Sequence, residues 1–470
     1  MENMVESVLF NELKNAYQGK KIFLTGHTGF KGAWMLKTLS VLGAEVKGYA
    51  LVPQTPNDLF HLIDGDKICD SVIADLRDKK RLEEEILSFQ PDYVFHLAAQ
   101  PLVRLSYEIP SETFEVNAIG TAHLLDAIRL LDKKCDVVLI TTDKVYHNNE
   151  WVYPYRENDR LGGYDPYSAS KACTELVIDS YRNSFFNTKN YDSHKKGIAV
   201  ARAGNVIGGG DWSKDRLIPD IVRALIANET IVIRNPKSVR PWQHVLEPVI
   251  GYLILGMYLS QPPTNYSQAY NFGPYTQDAL SVEEMLNLAI ENWGSGTYKI
   301  KQEIDQPHEA GLLKLDINKA AADLNWYPKM NAINTIDFTY IRKLNLNDKE
   351  LNLVKLDFFD YMLVIKEYGK EIDMLNKQTD VLWHNLILDT RSYIDFCINH
   401  MGRFIHHKPF LNDKVLTKDE KIQLYKKYSY AIENNYDYSR RRKEIIQENR
   451  SIPDYSSSSL SNNNLLLNLL

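Results

Sequence analysis

The chain has 470 residues, 44% of them hydrophobic and 25% charged, with a formal net charge of −6. That length can bury a large core over two or three domains, and the acidic balance excludes a binder driven by neutralising nucleic-acid phosphates. Four separated cysteines (Cys69, Cys135, Cys173, Cys397) have neither metal-type spacing nor disulfide density, so a reduced, cytoplasmic setting with no metal is expected.

No apolar run reaches membrane-spanning length, and Met1 to Lys20 lacks the basic-then-apolar layout of a signal peptide. The first predicted element is an apolar strand, Ile22-Phe23-Leu24, followed by Thr25-Gly26-His27-Thr28-Gly29-Phe30-Lys31-Gly32. Glycines at 26, 29 and 32 suit a strand-to-helix turn that lets backbone N–H groups approach a pyrophosphate and lets helix and sheet pack closely. The helix after it, Ala33 to Leu42, ends at Gly43 and would aim its positive end at phosphates; His27 and Lys31 add donors or charge there.

Glu45 to Leu51 reads as the second strand. Leu51-Val52-Pro53-Gln54 at its end offers neither the acid that selects NAD nor the arginine that selects NADP. Ser71 to Leu76 is the third strand, with Asp75 and Leu76 where an adenine ring would be met. A helix over Arg81 to Phe89 and a fourth strand over Tyr93 to Ala99 follow. Ala98 and Ala99 leave room beside a cofactor, and His96, inside an apolar run, reads as a core histidine paired with backbone. Thr113 to Leu131 reads as one long helix interrupted by Asn117 and Gly120, and Val137 to Ile140 as a fifth strand running into Thr141-Thr142-Asp143-Lys144. Strands alternating with helical patterns roughly every 25 to 30 residues predict an α/β fold, a Rossmann-like doubly wound parallel sheet. Ligands bind such sheets beyond the carboxyl ends of the strands, where Gly26 to Gly32, Ala98 to Gln100 and Thr142 to Lys144 converge.

Tyr164 to Lys171 opens a helix running to about Arg182, and Tyr167 and Lys171, four residues apart, share one face of it. An isolated tyrosine titrates near 10, so the lysine cation is expected to lower that value and let the phenolate take a proton from a sugar hydroxyl. Ile198 to Arg202 reads as a sixth strand, Gly208-Gly209-Gly210 as a loop open to a diphosphate, Leu217 to Ala227 as a helix and Ile231 to Ile233 as a strand.

These motifs resemble the extended short-chain dehydrogenase/reductases and, within them, the CDP-glucose 4,6-dehydratases. The likeness is carried by Thr25 to Gly32, His96-Leu97-Ala98-Ala99-Gln100-Pro101, Thr142-Asp143-Lys144, Arg156 to Asp159 through Lys171, Ala203 to Trp212, Arg240 to Val245 and Pro307-His308-Glu309-Ala310. It covers about Lys20 to Lys343. The resemblance implies NAD as cofactor, held by Gly26, His27, Gly29, Phe30, Lys31, Gly32, Asp75, Leu76, Ala98, Ala99, Gln100 and Asn117 together with Tyr167 and Lys171. It implies CDP-glucose as substrate, contacted by Arg104, Asn205, Arg216, Arg240 and His308. Oxidation at C4, loss of water across C5 and C6, and reduction at C6 would give CDP-4-keto-6-deoxyglucose. In that cycle Tyr167 takes the C4-hydroxyl proton, Thr142 bonds the C4 oxygen and Asp143 protonates the departing C6 hydroxyl. Lys144 is either the C5 base or the group that stabilises the enolate. A homodimer through helices near Ala118 to Leu130 and Lys171 to Arg182 is implied as well.

A 4-epimerase or net oxidoreductase on the same scaffold is disfavoured by Asp143-Lys144, since an epimerase eliminates no water. A non-enzymatic NAD(P)-binding module is disfavoured by the intact Tyr167/Lys171 pair. The expected organisation is a Rossmann domain over 18–343, with an interleaved substrate lobe mainly in 205–240 and 265–343. A helical appendage over 345–450 and a disordered, Ser/Asn/Leu-rich tail over 451–470 complete the chain.

Overall fold

The computed structural model describes residues 2–261, 265–301 and 310–330, which fall mainly in one compact unit, Leu9–Asp337. The expected appendage, the tail, the end of the lobe after 330 and His308 lie outside the described residues.

Seven parallel strands form the central sheet: β1 (Lys21–Thr25), β2 (Glu45–Ala50), β3 (Asp70–Ile73), β4 (Tyr93–His96), β5 (Cys135–Ile140), β6 (Lys196–Ala203) and β7 (Ala269–Phe272). Their spatial order is 7-6-5-4-1-2-3, so the order reverses between β1 and β4 and leaves a crevice at their carboxyl ends. β4, β5 and β6 are buried along their whole length, as expected of strands covered by helices on both faces. Ile22, Phe23 and Leu24 are fully buried, and each such side chain contributes about 1.5–3 kcal/mol through area removed from water.

Several elements differ from the sequence expectation, each because a distant partner intervenes. An unforeseen helix, α1 (Glu2–Tyr17), precedes β1; its end buries Leu13 and Tyr17, and the Tyr17 hydroxyl donates to the Leu253 carbonyl at 2.6 Å. The segment 265–343, assigned to the lobe from sequence, contains β7, which pairs with β6. The single helix expected over Thr113 to Leu131 is three pieces: Pro110–Phe114, a π turn over Glu115–Ile119, and Gly120–Arg129. His96 is a core histidine, but its ring nitrogens meet the hydroxyls of Thr25 (2.7 Å) and Thr121 (3.1 Å) rather than backbone. Burial pushes it down to about 3, so the ring is neutral.

Candidate active site

The glycine turn comes first because everything else faces it. Gly26 takes φ +75°, and a Cβ there would stand 2.7 Å from the Ala98 nitrogen; at Gly32 it would stand 1.9 Å from the Gly26 carbonyl. Any side chain at either place would force apart the turn, the end of β4 or the next helix. That helix, α2 (Phe30–Val41), starts at Gly29 with no side-chain cap, so its first N–H groups are available to an anion. The cradle suits a dinucleotide pyrophosphate.

Not every residue expected around the cofactor faces that opening. The His27 ring packs edge-on to Phe60, bonds Ser71 Oγ through Nε2 at 2.7 Å, and is pushed by burial down to about 4. It therefore adds no charge beside the phosphates, while its Nδ1 has no hydrogen-bond partner among the described residues. Asp75 is gripped by Arg77 through Oδ2 at 2.6 Å, which holds its carboxyl below the usual range. Leu76 is buried, with its carbonyl against His123 Nδ1 at 3.2 Å. Ala98 and Ala99 remain half-buried at the crevice. The Asn117 amide is spent within the protein: Oδ1 accepts from Gln100 N at 2.8 Å, and Nδ2 donates to Ser170 Oγ at 2.8 Å and the Gln100 carbonyl at 3.2 Å. The Gln100 side chain is tied to Leu102 and Thr113.

The catalytic helix, α3 (Pro166–Ser184), begins where it does because Asp165 caps it, accepting from Ser168 N at 2.9 Å, and Pro166 occupies the first helical position. Tyr167 N donates to Ser106 Oγ at 3.1 Å, fixing the first turn. Across from it, β5 ends in a short 3-10 turn, Asp143–Val145, led by Thr142. Thr142 draws the pKa of the Tyr167 hydroxyl down, and its Oγ1 donates to Asp143 Oδ1 at 2.9 Å. Lys144 Nζ reaches the same oxygen at 3.3 Å. Asp143 is fully buried, and its other oxygen, Oδ2, has no hydrogen-bond partner among the described residues. A buried carboxylate oxygen left over is available to a ligand.

Electrostatics at this end correct one sequence expectation. Tyr167 is not lowered: burial pushes it up to about 12, with Thr142 pulling the other way. Lys171, whose Nζ meets only the Ile140 carbonyl at 3.5 Å among the described residues, is pushed by burial down to about 8. In this dry pocket desolvation outweighs the attraction that the Tyr-Lys spacing suggests. Lys31 reaches the Tyr252 hydroxyl at 3.3 Å and is pushed down to about 7, first by burial and then by Arg216, with Asp143 opposing.

The arginines lie in three places. Arg216 bonds Asp211 at 2.9 Å and bears electrostatically on Tyr167 and Lys31, so it belongs to the reacting end. Arg104 and Arg234 stand 3.9 and 3.4 Å from the same Asp215 oxygen. Arg240 is buried and donates to the Val239 and Gly311 carbonyls at 3.0 and 3.3 Å. Asn205 Oδ1 is buried without a hydrogen-bond partner among the described residues. No cluster of His, Cys, Asp and Glu fit for a metal occurs among the described residues. Glu175, Thr141, Arg202 and Tyr252 were not singled out from sequence, although Glu175 continues the Tyr167-Lys171 spacing by one more turn and Arg202 is a charge in an apolar strand.

Comparison with known proteins adds to this geometry. A family model described as GDP-mannose 4,6 dehydratase matches residues 23–338, and a second, UCP032817-like, matches residues 333–448. A CDP-glucose 4,6-dehydratase of Salmonella typhimurium is 50% identical over 323 residues, covering 69% of this chain and 90% of that protein. A UDP-glucose 4-epimerase of Mycoplasma pneumoniae is 26% identical, covering 54% of this chain and 77% of its own. Among solved structures, a dTDP-glucose 4,6-dehydratase from Streptomyces venezuelae with NAD and TYD bound superposes with a TM-score of 0.59 at 22% identity, covering 67% of this chain and 94% of that one; at that identity the likeness concerns the fold.

Proposed function

The chain belongs to the GDP-mannose 4,6 dehydratase family, and on that premise we propose that it is a lyase converting CDP-glucose to CDP-4-keto-6-deoxyglucose and water. The observation that carries the choice of CDP-glucose is the 50% identity to the Salmonella enzyme over 90% of that enzyme's length.

The residues fit NAD: a turn packed against the end of β4 and the start of α2 too tightly for a Cβ at Gly26 or Gly32, and an uncapped helix end, suit its pyrophosphate, with Ala98 and Ala99 at the crevice. Bound there, NAD supplies reversible hydride storage, so the net reaction consumes none. Tyr167, which burial holds above its ordinary value in the free protein, takes the C4-hydroxyl proton as C4 is oxidised, and the Lys171 ammonium on the same helix face supports the phenolate that step needs. The resulting ketone acidifies C5–H. Asp143, through its uncommitted Oδ2, delivers a proton to the departing C6 hydroxyl. Lys144, beside Asp143, either takes the C5 proton or stabilises the enolate. Arg216 and Arg240, with Asn205 and His308, hold the substrate's diphosphate and nucleotide.

The geometry favours dehydration over epimerisation for one reason: an epimerase needs only the Tyr167/Lys171 half. The test is to incubate the purified chain with CDP-glucose and follow the sugar by NMR, with UDP- and dTDP-glucose alongside. A 4-keto-6-deoxy product without net reduced cofactor is expected. A C4-inverted sugar, or no turnover of any of the three, overturns the reading.

We further read 345–450 as a separate appendage, in keeping with a second family model that takes over at residue 333. A homodimer through the helices near 118–130 and 171–182 is supported by Ile119, Leu130 and Leu176, which expose large apolar side chains there. Sedimentation of the wild type and Leu176→Glu checks it. A cytoplasmic setting fits the biosynthetic chemistry, and among the described residues no helix is long and apolar enough to cross a membrane.

A further inference from the structure

The catalytic helix carries another charged group on its reactive face. Glu175 lies one turn beyond Lys171 and two beyond Tyr167, and it is 4% exposed. Its Oε1 accepts from Thr141 Oγ1 at 2.6 Å and from Arg202 Nε at 2.9 Å; its Oε2 accepts from Arg202 Nη2 at 3.0 Å. Thr141 directly precedes Thr142 and Asp143. Arg202, equally buried near the end of β6, spends its remaining Nη1 on the Tyr146 hydroxyl and the Glu157 carbonyl, both at 2.9 Å. One bidentate ion pair thus ties α3, β5 and β6 together directly behind the reacting groups.

We propose that Glu175, clamped by Arg202, is a positioning residue that holds Lys171 and the Thr142-Asp143 arm in one frame and keeps a negative charge beside the Lys171 ammonium. The inference rests on the dehydratase reading for the meaning of those two arms.

The fork geometry is the mechanical part of the argument. Glu175 has no free torsion once both oxygens are held from two strands, so the face it shares with Lys171 and Tyr167 cannot rotate away from Thr142. Charge is the other part. Lys171 is faced by His96 from β4, which is neutral, and by the amine of Lys31 from α2, which burial pushes down to about 7. Asp143 and Lys144 stand on the segment after β5, and Tyr167 and Glu175 on its own helix. Glu175 is the group that opposes burial at Lys171.

The experiment compares the wild type with E175Q, E175D and the double variant E175L/R202M. Lys171 is followed by NMR on lysine-Cε-labelled protein, assigned with K171M, and the pH profile of CDP-glucose turnover is recorded beside it. In E175Q the Lys171 midpoint and the alkaline limb of kcat should both fall by about one pH unit. Its kcat should drop roughly 10- to 100-fold while KM stays within about two-fold. E175D, which keeps the charge, should return the midpoint toward the wild type. E175L/R202M removes the pair together, a change that buried ion pairs often tolerate in stability; it should fold and keep the lowered midpoint, and it carries the test if E175Q does not fold. A Lys171 midpoint unchanged in folded E175Q or in folded E175L/R202M overturns the proposal. A wild type that leaves CDP-glucose untouched overturns the dehydratase reading instead, and the NMR midpoint still decides the role of Glu175.

Discussion

Two buried lysines occupy opposite ends of the central sheet. Lys196, the first residue of β6, donates its three ammonium protons to the carbonyls of Leu131, Lys133 and His194 at 2.7–2.9 Å. Lys171, beyond the other end, has the Ile140 carbonyl at 3.5 Å. Burial lowers both, yet one is a fitting that closes off the loop before β5 and the turn before β6, and the other has no closer acceptor among the described residues. Reactivity here comes from what a buried cation is denied, rather than from burial itself.

The largest effect that could break this contrast is at Tyr167. Tyr167→Phe should cut CDP-glucose turnover roughly 10³-fold with the thermal midpoint unchanged, as befits loss of a proton acceptor alone. Next, Asp143→Asn should slow product formation about 10²-fold and strand the reaction after C4 oxidation, so that reduced nicotinamide accumulates on the protein and is read by its absorbance. Lys196→Met should leave turnover within about two-fold but lose about 1–3 kcal/mol by denaturant unfolding, because three buried carbonyls lose their donor. A folded Lys196→Met protein without turnover would erase the contrast between the two ends. Lys171→Met should do the reverse, losing turnover while gaining about 1 kcal/mol, since Glu175 stays paired with Arg202.

The smallest effect is on pH. Turnover should decline as pH rises through about 8, where Lys171 gives up its proton. Stability runs the other way at this residue. Its native value lies below the ordinary 10.5, so between about 8 and 10.5 the unfolded chain binds more protons and the fold gains stability as pH rises. Lys171→Met should flatten that gain in unfolding free energy measured across the window.

Local pattern made much of this readable from sequence. Six strands, the glycine turn and the Tyr167-Lys171 face are each encoded within a few residues, as apolar runs, glycine spacing and a four-residue repeat. What escaped depends on partners far along the chain. Tyr167 looks from its spacing like a lowered phenol, but its neighbours bury it and reverse the sign. His27 looks like a charge beside the phosphates, but burial against Phe60, from a segment more than thirty residues away, leaves its ring neutral. β7 is four residues long and becomes a strand through its pairing with β6. Asp211 and Asp215 gained meaning only when Arg216, Arg104 and Arg234 were found against them.

The π turn at Glu115–Ile119 has a bearing on how the gene can be edited. It holds one residue more than an ordinary helical turn, and the Asn117 carbonyl within it accepts from Thr121 Oγ1 at 2.7 Å and Thr174 Oγ1 at 2.9 Å. Removing a single codon there would let the segment rewind as a regular helix, turning everything upstream by about 100° relative to the Gly120–Arg129 helix. Ile119 is half exposed, yet the segment around it should reject deletions as firmly as the core does.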